Sequence, residues 1–158
     1  MGKLSLIQAE IIVDTALEAR RANGGMPLSV AVLDDGGHIK LLKREDGATL
    51  FRADIAIGKA WGAIAMGVSS RMIGQVAQQN PGFVAALNVA AQGKILPNPG
   101  GVLIRDASSG EVLGAVGVSG DLPDRDEAFA IAAVNAAGLA PEPASPTLHN
   151  HGDRSREG

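Results

Sequence analysis

Two short turns, each between runs of alternating apolar residues, constrain the fold of this chain more than any other feature of its sequence. The first lies in AVLDDGGHIK (31–40), where Asp35-Gly36-Gly37 supplies residues that tolerate positive φ. In the second, Ser108-Ser109-Gly110 separates VLIRD from EVLGAVGVS. Because the two strands of a hairpin run antiparallel, both turns predict an antiparallel sheet rather than a doubly wound parallel one.

The segments around the hairpins have the periodicity and end signals of helices. Ser5 and Gln8 have the spacing of a capping box, Ser69 is a typical N-cap, and Pro81 suits the first turn of a helix. A short strand is predicted at 94–96. The predicted helices cover residues 5–22, 50–66, 69–79, 81–91 and 121–138. This order predicts an α+β domain with a central antiparallel sheet and helices on its faces.

Small residues dominate the helix predicted at 50–66 and leave its backbone nearly bare: Ala53, Ala56, Gly58, Ala60, Gly62, Ala63 and Ala65. Such a surface allows another element to pack very close to the helix. Aromatic residues make up only 3% of the chain, so few bulky side chains keep neighbouring elements apart. We expect from both features a protein that associates with further copies of itself.

Composition indicates one domain and narrows the choice of partners. The 158 residues contain no cysteine, which excludes disulfides and thiolate metal sites. A net charge of -3 and the scarcity of aromatic residues are unlike proteins that bind nucleic acid. Acidic residues interrupt the apolar N-terminal segment, and no segment reaches transmembrane length. The sequence therefore predicts a cytoplasmic protein that binds neither nucleic acid nor membranes.

The domain is predicted to span residues 1–140, because the polar segment 141–158 has the composition of a flexible C-terminal tail. The two histidines of this tail, His149 and His151, are too few for a specific metal site without further ligands. Removing residues 141–158 is therefore expected to leave the fold intact.

Three charged residues in the first half of the chain are candidates for chemistry. Lys59 is the only charged residue between Ile55 and Val68, so burial is expected to lower its pKa and suit it to work as a base or anion anchor. The alternative is a lysine whose amine reaches water beyond a buried stem. Arg44 is suited to recognise a carboxylate, and Asp46 to cap the next helix, unless both simply belong to a surface turn.

Acidic residues open the last predicted helix. Asp124, Asp126 and Glu127 lie in its first turns, where the positive end of the helix dipole favours carboxylates. Ser119 and Gly120, just before this helix, could offer amide donors to an anion, but the three acids weaken that case.

His38 follows the first turn, and two interpretations stay open. A residue just past a hairpin turn usually lies near the sheet edge, where water or a backbone carbonyl satisfies an imidazole. Alternatively, the turn directs His38 toward a ligand. The sequence contains no nucleophile elbow and no Walker lysine, so the residues alone leave the function open.

Four stretches, in order, resemble the GlcG/HbpS-like family, also called the haem-degrading or DUF336 domain. They are MPLSVAVLDDGGHIKLLKREDGA, RADIAIGKAWGAIAMG, PNPGGVLIRD and GEVLGAVGVSGDLPDRDEAFA, and the resemblance runs from about Leu4 to Leu139. It implies a profilin-like α/β/α domain with a central antiparallel sheet of about five strands. It also implies homo-oligomers, from dimers to octamers, and haem binding in some members.

Two functions follow from the resemblance together with the candidate residues. The first is a module that binds haem or another planar anionic small molecule at pockets between subunits, with His38 as the iron ligand. The residues expected to bind the ligand are His38, Arg44, Asp46, Lys59, Gly100 and Gly101, the last two from the PNPGG turn. The second function is an enzyme that acts on a small organic acid, with Lys59 as base or anion anchor and Glu127 as proton donor. We favour the first, because the candidates do not form a recognisable catalytic set.

Overall fold

The structure, a computed structural model, describes residues 2–147. Its centre is a five-stranded sheet in the order β2-β1-β4-β3-β5, in which all neighbouring strands are antiparallel. The strands are β1 (Ser29–Asp34), β2 (Ile39–Arg44), β3 (Gly101–Arg105), β4 (Val112–Ser119) and β5 (Ala140–Glu142). Both predicted hairpins are present, so the predicted antiparallel α+β architecture is confirmed.

The fifth strand lies at a different place in the sequence from the one predicted. Residues 94–96 form no strand. Ile95 is 4% exposed, but it packs against the helix residues Ile73 and Val84 and not within the sheet. The strand predicted there is wrong. Instead, β5 pairs with β3, which extends the sheet two residues past the expected domain end at residue 140.

Helices cover both faces of the sheet. They are α1 (Leu6–Asn23), α2 (Leu50–Met66), α3 (Ser70–Gln79), α4 (Pro81–Ala90) and α5 (Pro123–Ala136). On one face, α1 and α5 bury Val30 and Val32 of β1. On the other face, α2 covers Leu33 of the same strand, and α3 and α4 pack together beside it. No helix within residues 2–147 is long and apolar enough to cross a membrane.

The close approach predicted for α2 is made by the chain's own sheet. A Cβ atom added at Gly117 of β4 would collide with the carbonyl of Ala56 and come within 3.1 Å of the amide nitrogen of Ala60. Glycine is therefore required where the helix crosses this strand. The bare helix is explained within one chain, and self-association stays a prediction.

Capping residues begin two of the helices as predicted. The Ser5 hydroxyl accepts a hydrogen bond from the Gln8 amide at 3.0 Å, and the Gln8 side chain accepts one from the Ser5 amide. The Ser69 hydroxyl accepts from the amide of Met72 at 3.3 Å. Asp46 is not the cap of α2, because the intervening turn places Thr49 at that position. The predicted capping role of Asp46 is therefore wrong.

Candidate functional site

Lys59 belongs to α2, and its side chain lies in the interior beside the start of β3 and the end of β4. Its side chain is 2% exposed, and its amine donates to the carbonyl oxygen of Val118 at 2.9 Å and to Asp126 Oδ2 at 3.3 Å. The turn before β3 closes over it, since a Cβ atom added at Gly100 would lie 2.8 Å from the Lys59 amine. The structure thus brings together Lys59, Gly100 and Gly101, but around a site closed to solvent.

Burial pushes Lys59 and Asp126 toward their uncharged forms. It lowers the pKa of Lys59, as predicted, although the negative charge of Asp126 opposes that shift. It also raises the pKa of Asp126 to about 6, against the opposing effect of Lys59. Asp126 accepts further hydrogen bonds from the amides of Gly120, at 3.3 Å, and Asp121, at 3.0 Å. The two groups therefore form a buried pair whose titration differs from that of exposed side chains.

A second buried ion pair joins the next residue of α5 to α3. Glu127 is 0% exposed and binds the guanidinium of Arg71 through both carboxylate oxygens, one of them at 2.9 Å from Nε. It also accepts from the amide of Thr147 at 3.0 Å and from its hydroxyl at 3.2 Å. Arg71 in turn donates to the carbonyl of Ser145 at 2.7 Å. Glu127 therefore anchors the C-terminal segment that follows β5, and its role as a proton donor stays a prediction.

Arg71 is only partly covered by these contacts and lines a groove. The cavity has a volume of about 390 Å³ and lies between α3, the segment 97–99 and Thr147. Its polar lining comes from Arg71, Gln75, Gln78 and Asn98. We call it the Arg71 groove.

A more apolar groove lies between the first hairpin, α2 and the segment 93–96. It has a volume of about 430 Å³, and we call it the Trp61 groove; its lining includes Gly37, Ile39, Phe51, Asp54, Trp61 and Lys94. Ile39 and Phe51 are 53% and 61% exposed, respectively. The amine of Lys94 lies 5.2 Å from the centre of the Trp61 ring, within cation–π distance. This groove therefore combines an aromatic ring with a cation, Lys94, and a carboxylate, Asp54.

His38 lies at the rim of the Trp61 groove, since its neighbours in sequence, Gly37 and Ile39, both line it. Its side chain is 81% exposed, as expected for a residue just past a hairpin turn. Nδ1 lies 3.3 Å from Asp34 Oδ1, and the His38 amide donates to the same oxygen at 2.9 Å. That amide holds the pKa of Asp34 below its ordinary value. Nδ1 is thus the ring nitrogen nearest to the carboxylate, and Nε2 is the more distant one.

Arg44 and Asp46 are exposed residues at the far end of β2 from His38. The Arg44 guanidinium donates to the carbonyl of Ala48 at 2.9 Å, which closes the turn before α2. Neither residue lines the Trp61 groove or contacts Lys59. The predicted ligand-binding residues thus fall into three separate places: His38 beside the first turn, Arg44 and Asp46 beside a pocket at the end of β2, and Lys59 with Gly100 and Gly101.

The described part of the chain contains no group of three or more histidine or acidic side chains placed to hold a metal ion. His149 and His151 lie outside the described residues.

Comparison of this chain with known proteins identifies its family. Residues 4–135 match the family described as haem degrading protein HbpS-like. The chain belongs to the HbpS-like family. A protein of Citrobacter freundii, described as an uncharacterised 15.0 kDa protein in the dhaT-dhaS intergenic region, is 30% identical over 120 residues. The match covers 76% of this chain and 82% of that protein.

Two solved structures of similar proteins share the fold of this HbpS-like chain. The PduOC:haem complex is 25% identical with a TM-score of 0.78, and the match covers 87% of this chain and 97% of that one. The Klebsiella pneumoniae protein ORFY, of family DUF336, is 26% identical with a TM-score of 0.76, over 87% of this chain and 93% of that one. The first of these structures holds haem in the same fold.

Arg71 and Asp126 are residues of this HbpS-like protein that sequence reasoning missed. Arg71 is the only charged residue between Lys59 and Lys94, which is the same signal that pointed to Lys59. Asp126 carried no such signal, because an acid in the first turn of a helix is already explained by the helix dipole. Trp61 and Lys94 were missed because their contact joins distant segments.

Proposed function

We propose that this HbpS-like protein binds haem, or another planar ligand that carries carboxylates, in the Trp61 groove. The observation that carries the proposal is the combination of an aromatic wall, exposed aliphatic residues and the amine of Lys94 in one groove of about 430 Å³. A planar apolar ligand would cover the apolar lining, and its carboxylate would pair with Lys94. The haem complex of the similar PduOC protein supports this class of ligand.

His38 is the axial ligand in this proposal. Its ring is exposed beside the groove, whose lining includes the neighbouring residues Gly37 and Ile39, and Nδ1 lies 3.3 Å from Asp34 Oδ1. Metal-binding histidines commonly have a carboxylate at the other ring nitrogen, because it fixes the tautomer and the ring orientation. Nε2 would then bind the iron, and the haem would supply the metal and any redox chemistry.

A second copy of the chain would cover the open side of the bound ligand. Leu50 and Phe51, in the first turn of α2, are 77% and 61% exposed, and Phe51 lines the groove. Their burial by another subunit would stabilise a homo-oligomer and shield the ligand from water. Light scattering tests this step: a mass of about 16.1 kDa at micromolar concentration would contradict it.

Hemin titration followed by absorption tests the binding function. We expect a saturable shift of the Soret band for the wild-type protein. Phe51→Asp, which places a charge in the groove, should weaken hemin binding at least tenfold. Val89→Asp is the matched control, since Val89 is 80% exposed on α4 and lies outside the groove. Equal effects of the two variants would refute the location, and a flat response of the wild type would refute the function.

Two further variants separate the roles of the groove residues. His38→Ala should abolish the Soret shift but leave quenching of Trp61 fluorescence by hemin, because the aromatic wall remains. Lys94→Met should lower the affinity without changing the shape of the spectrum, while Lys3→Met should do neither. A Soret shift that survives His38→Ala and disappears in the double variant His149→Ala, His151→Ala would assign the iron ligand to the tail.

An enzyme that acts on a small organic acid is the second candidate function. The lowered pKa of Lys59 favours it, because a buried amine of this kind is suited to act as a base. The exposure of 2% and the two hydrogen bonds of the Lys59 amine argue against direct contact with a substrate. If Lys59→Met retains full turnover of an acid that the wild type converts, this role of Lys59 is refuted.

A further inference from the structure

We propose that the Arg71 groove is a second binding site, which takes a small carboxylic acid that also carries hydroxyl groups. The groove shares no lining residue with the Trp61 groove, so this site is independent of the proposed haem-type function. The inference rests on how Arg71 is held and on what surrounds it.

Arg71 keeps two donors for a ligand. Its guanidinium has five N–H groups, of which Nε binds Glu127 and Nη2 binds Glu127 and the carbonyl of Ser145. The two N–H groups of Nη1 have no hydrogen-bond partner among residues 2–147. These two N–H groups diverge from one nitrogen, so Nη1 can donate one hydrogen bond to a carboxylate oxygen and the other to a hydroxyl oxygen of the same ligand.

Glu127 fixes this arginine in place before any ligand arrives. The carboxylate accepts two hydrogen bonds from Arg71 and two from Thr147, and its side chain is 0% exposed. Arg71 itself is 24% exposed and lines the groove. The cation therefore faces the cavity while its buried counter-ion does not. An arginine held in this way loses little side-chain freedom on binding, which favours affinity.

Beside Arg71, the lining combines amide side chains with small apolar residues, including Ala77, Pro97 and Pro99, which suits the hydroxyl groups and the short carbon chain of one ligand. Gln75 and Gln78 extend along α3 from Arg71, and Asn98 comes from the opposite wall. Their amides offer both donors and acceptors, and no aspartate or glutamate lines the groove. A cavity of about 390 Å³ is large enough for a small organic acid.

Gluconate is a suitable probe, and sorbitol is its matched control, because sorbitol has a similar chain of hydroxyl groups without a carboxylate. We expect calorimetry or amide chemical shifts of the full-length protein to show saturable binding of gluconate. Sorbitol should bind at least tenfold more weakly. Absence of saturable gluconate binding, or equal affinity for the two compounds, would overturn the proposal.

A pair of charge variants tests the location without disturbing the buried ion pair. Gln78→Glu places a negative charge in the groove and should weaken gluconate binding at least tenfold. Gln79→Glu adds the same charge at the next residue, which is also exposed but lies outside the groove, and should leave affinity within about twofold. If both variants weaken binding equally, or neither does, gluconate does not bind at Arg71 and the proposal fails.

Discussion

Asp126 and Glu127 are neighbours on α5, and each neutralises a cation from the opposite layer, yet the two ion pairs differ in their contact with solvent. Lys59 and Asp126 are 2% and 1% exposed, and both partners are enclosed by backbone. In the other pair Glu127 is equally buried, but Arg71 is 24% exposed and borders a groove. We call Lys59–Asp126 the closed pair and Arg71–Glu127 the open pair. The closed pair joins α2, β4 and α5, whereas the open pair leaves part of its cation exposed to the groove.

The difference follows from the chemistry of the two cations. An ammonium group has three donors on one atom, and the Lys59 amine donates hydrogen bonds to Val118 and Asp126. A guanidinium has donors on three nitrogens, so two of them can bind a buried carboxylate while the third keeps its donors for a ligand. The cation thus decides whether a buried acid serves packing alone or also holds a binding group in place.

Removing the cation of the open pair should have the largest effect. Arg71→Met leaves the carboxylate of Glu127 buried without a counter-ion, which should lower the free energy of unfolding by about 3–5 kcal/mol. Urea denaturation at pH 7.5 measures this change in the free energy of unfolding. Arg71→Met combined with Glu127→Gln should recover part of this loss, because no charge is then left unpaired. A single variant as stable as the wild type would show that the pair is not buried as described.

Truncation of the C-terminal segment that contacts the open pair should have the next largest effect on stability. A chain that ends at residue 140 loses β5 pairing, the Arg105–Glu142 ion pair and every contact of Ser145 and Thr147 with the open pair. We expect a loss of roughly 3 kcal/mol, from several hydrogen bonds of about 1 kcal/mol each. A chain that ends at Thr147 retains these contacts and serves as the control. Equal stability of both truncated chains would support the domain end at residue 140 that the sequence predicts.

The contribution of the closed pair to the free energy of unfolding should depend on pH. Folding raises the pKa of Asp126 from 3.8 to about 6, so between these pH values the folded chain binds more protons than the unfolded chain. The contribution of Asp126 to stability is therefore fully present below about pH 4 and is lost as pH rises through about 6. Relative to Asp126→Asn, the wild type should lose roughly 2 kcal/mol over this range. A constant difference between the two proteins, measured by urea denaturation from pH 4 to 6.5, would show that Asp126 has an ordinary pKa.

The smallest expected effect concerns a single hydrogen bond of the open pair. Thr147→Val removes the hydroxyl that donates to Glu127 at 3.2 Å but keeps the shape and the amide donor. The loss should be about 1 kcal/mol, because three other hydrogen bonds still satisfy the carboxylate. A loss as large as that of Arg71→Met would mean that the Thr147 hydroxyl stabilises the buried charge as much as Arg71 does.

Much of the fold could be predicted from local patterns, and the errors have a common cause. The turns at Gly36 and Gly110 and the cap at Ser5 act over a few residues, so the sequence predicts them correctly. The apolar segment at 94–96 was misassigned to a strand, because a short apolar run does not reveal whether it packs in a sheet or among helices. The strand at Ala140–Glu142 was missed, since the segment looks polar and only its pairing with β3 makes it a strand.

By itself, the sequence determined the antiparallel sheet, the helices and the unusual position of Lys59, because turn residues, periodicity and an isolated charge are local signals. It also carried the resemblance to the HbpS-like family. Only the tertiary structure decided which acids meet which cations: Lys59 meets Asp126 and Arg71 meets Glu127 across long separations in the chain. It alone also placed Trp61 beside Lys94 and closed the Gly100 turn over Lys59. Charge pairing and groove formation depend on distances between elements, and no local pattern encodes those distances.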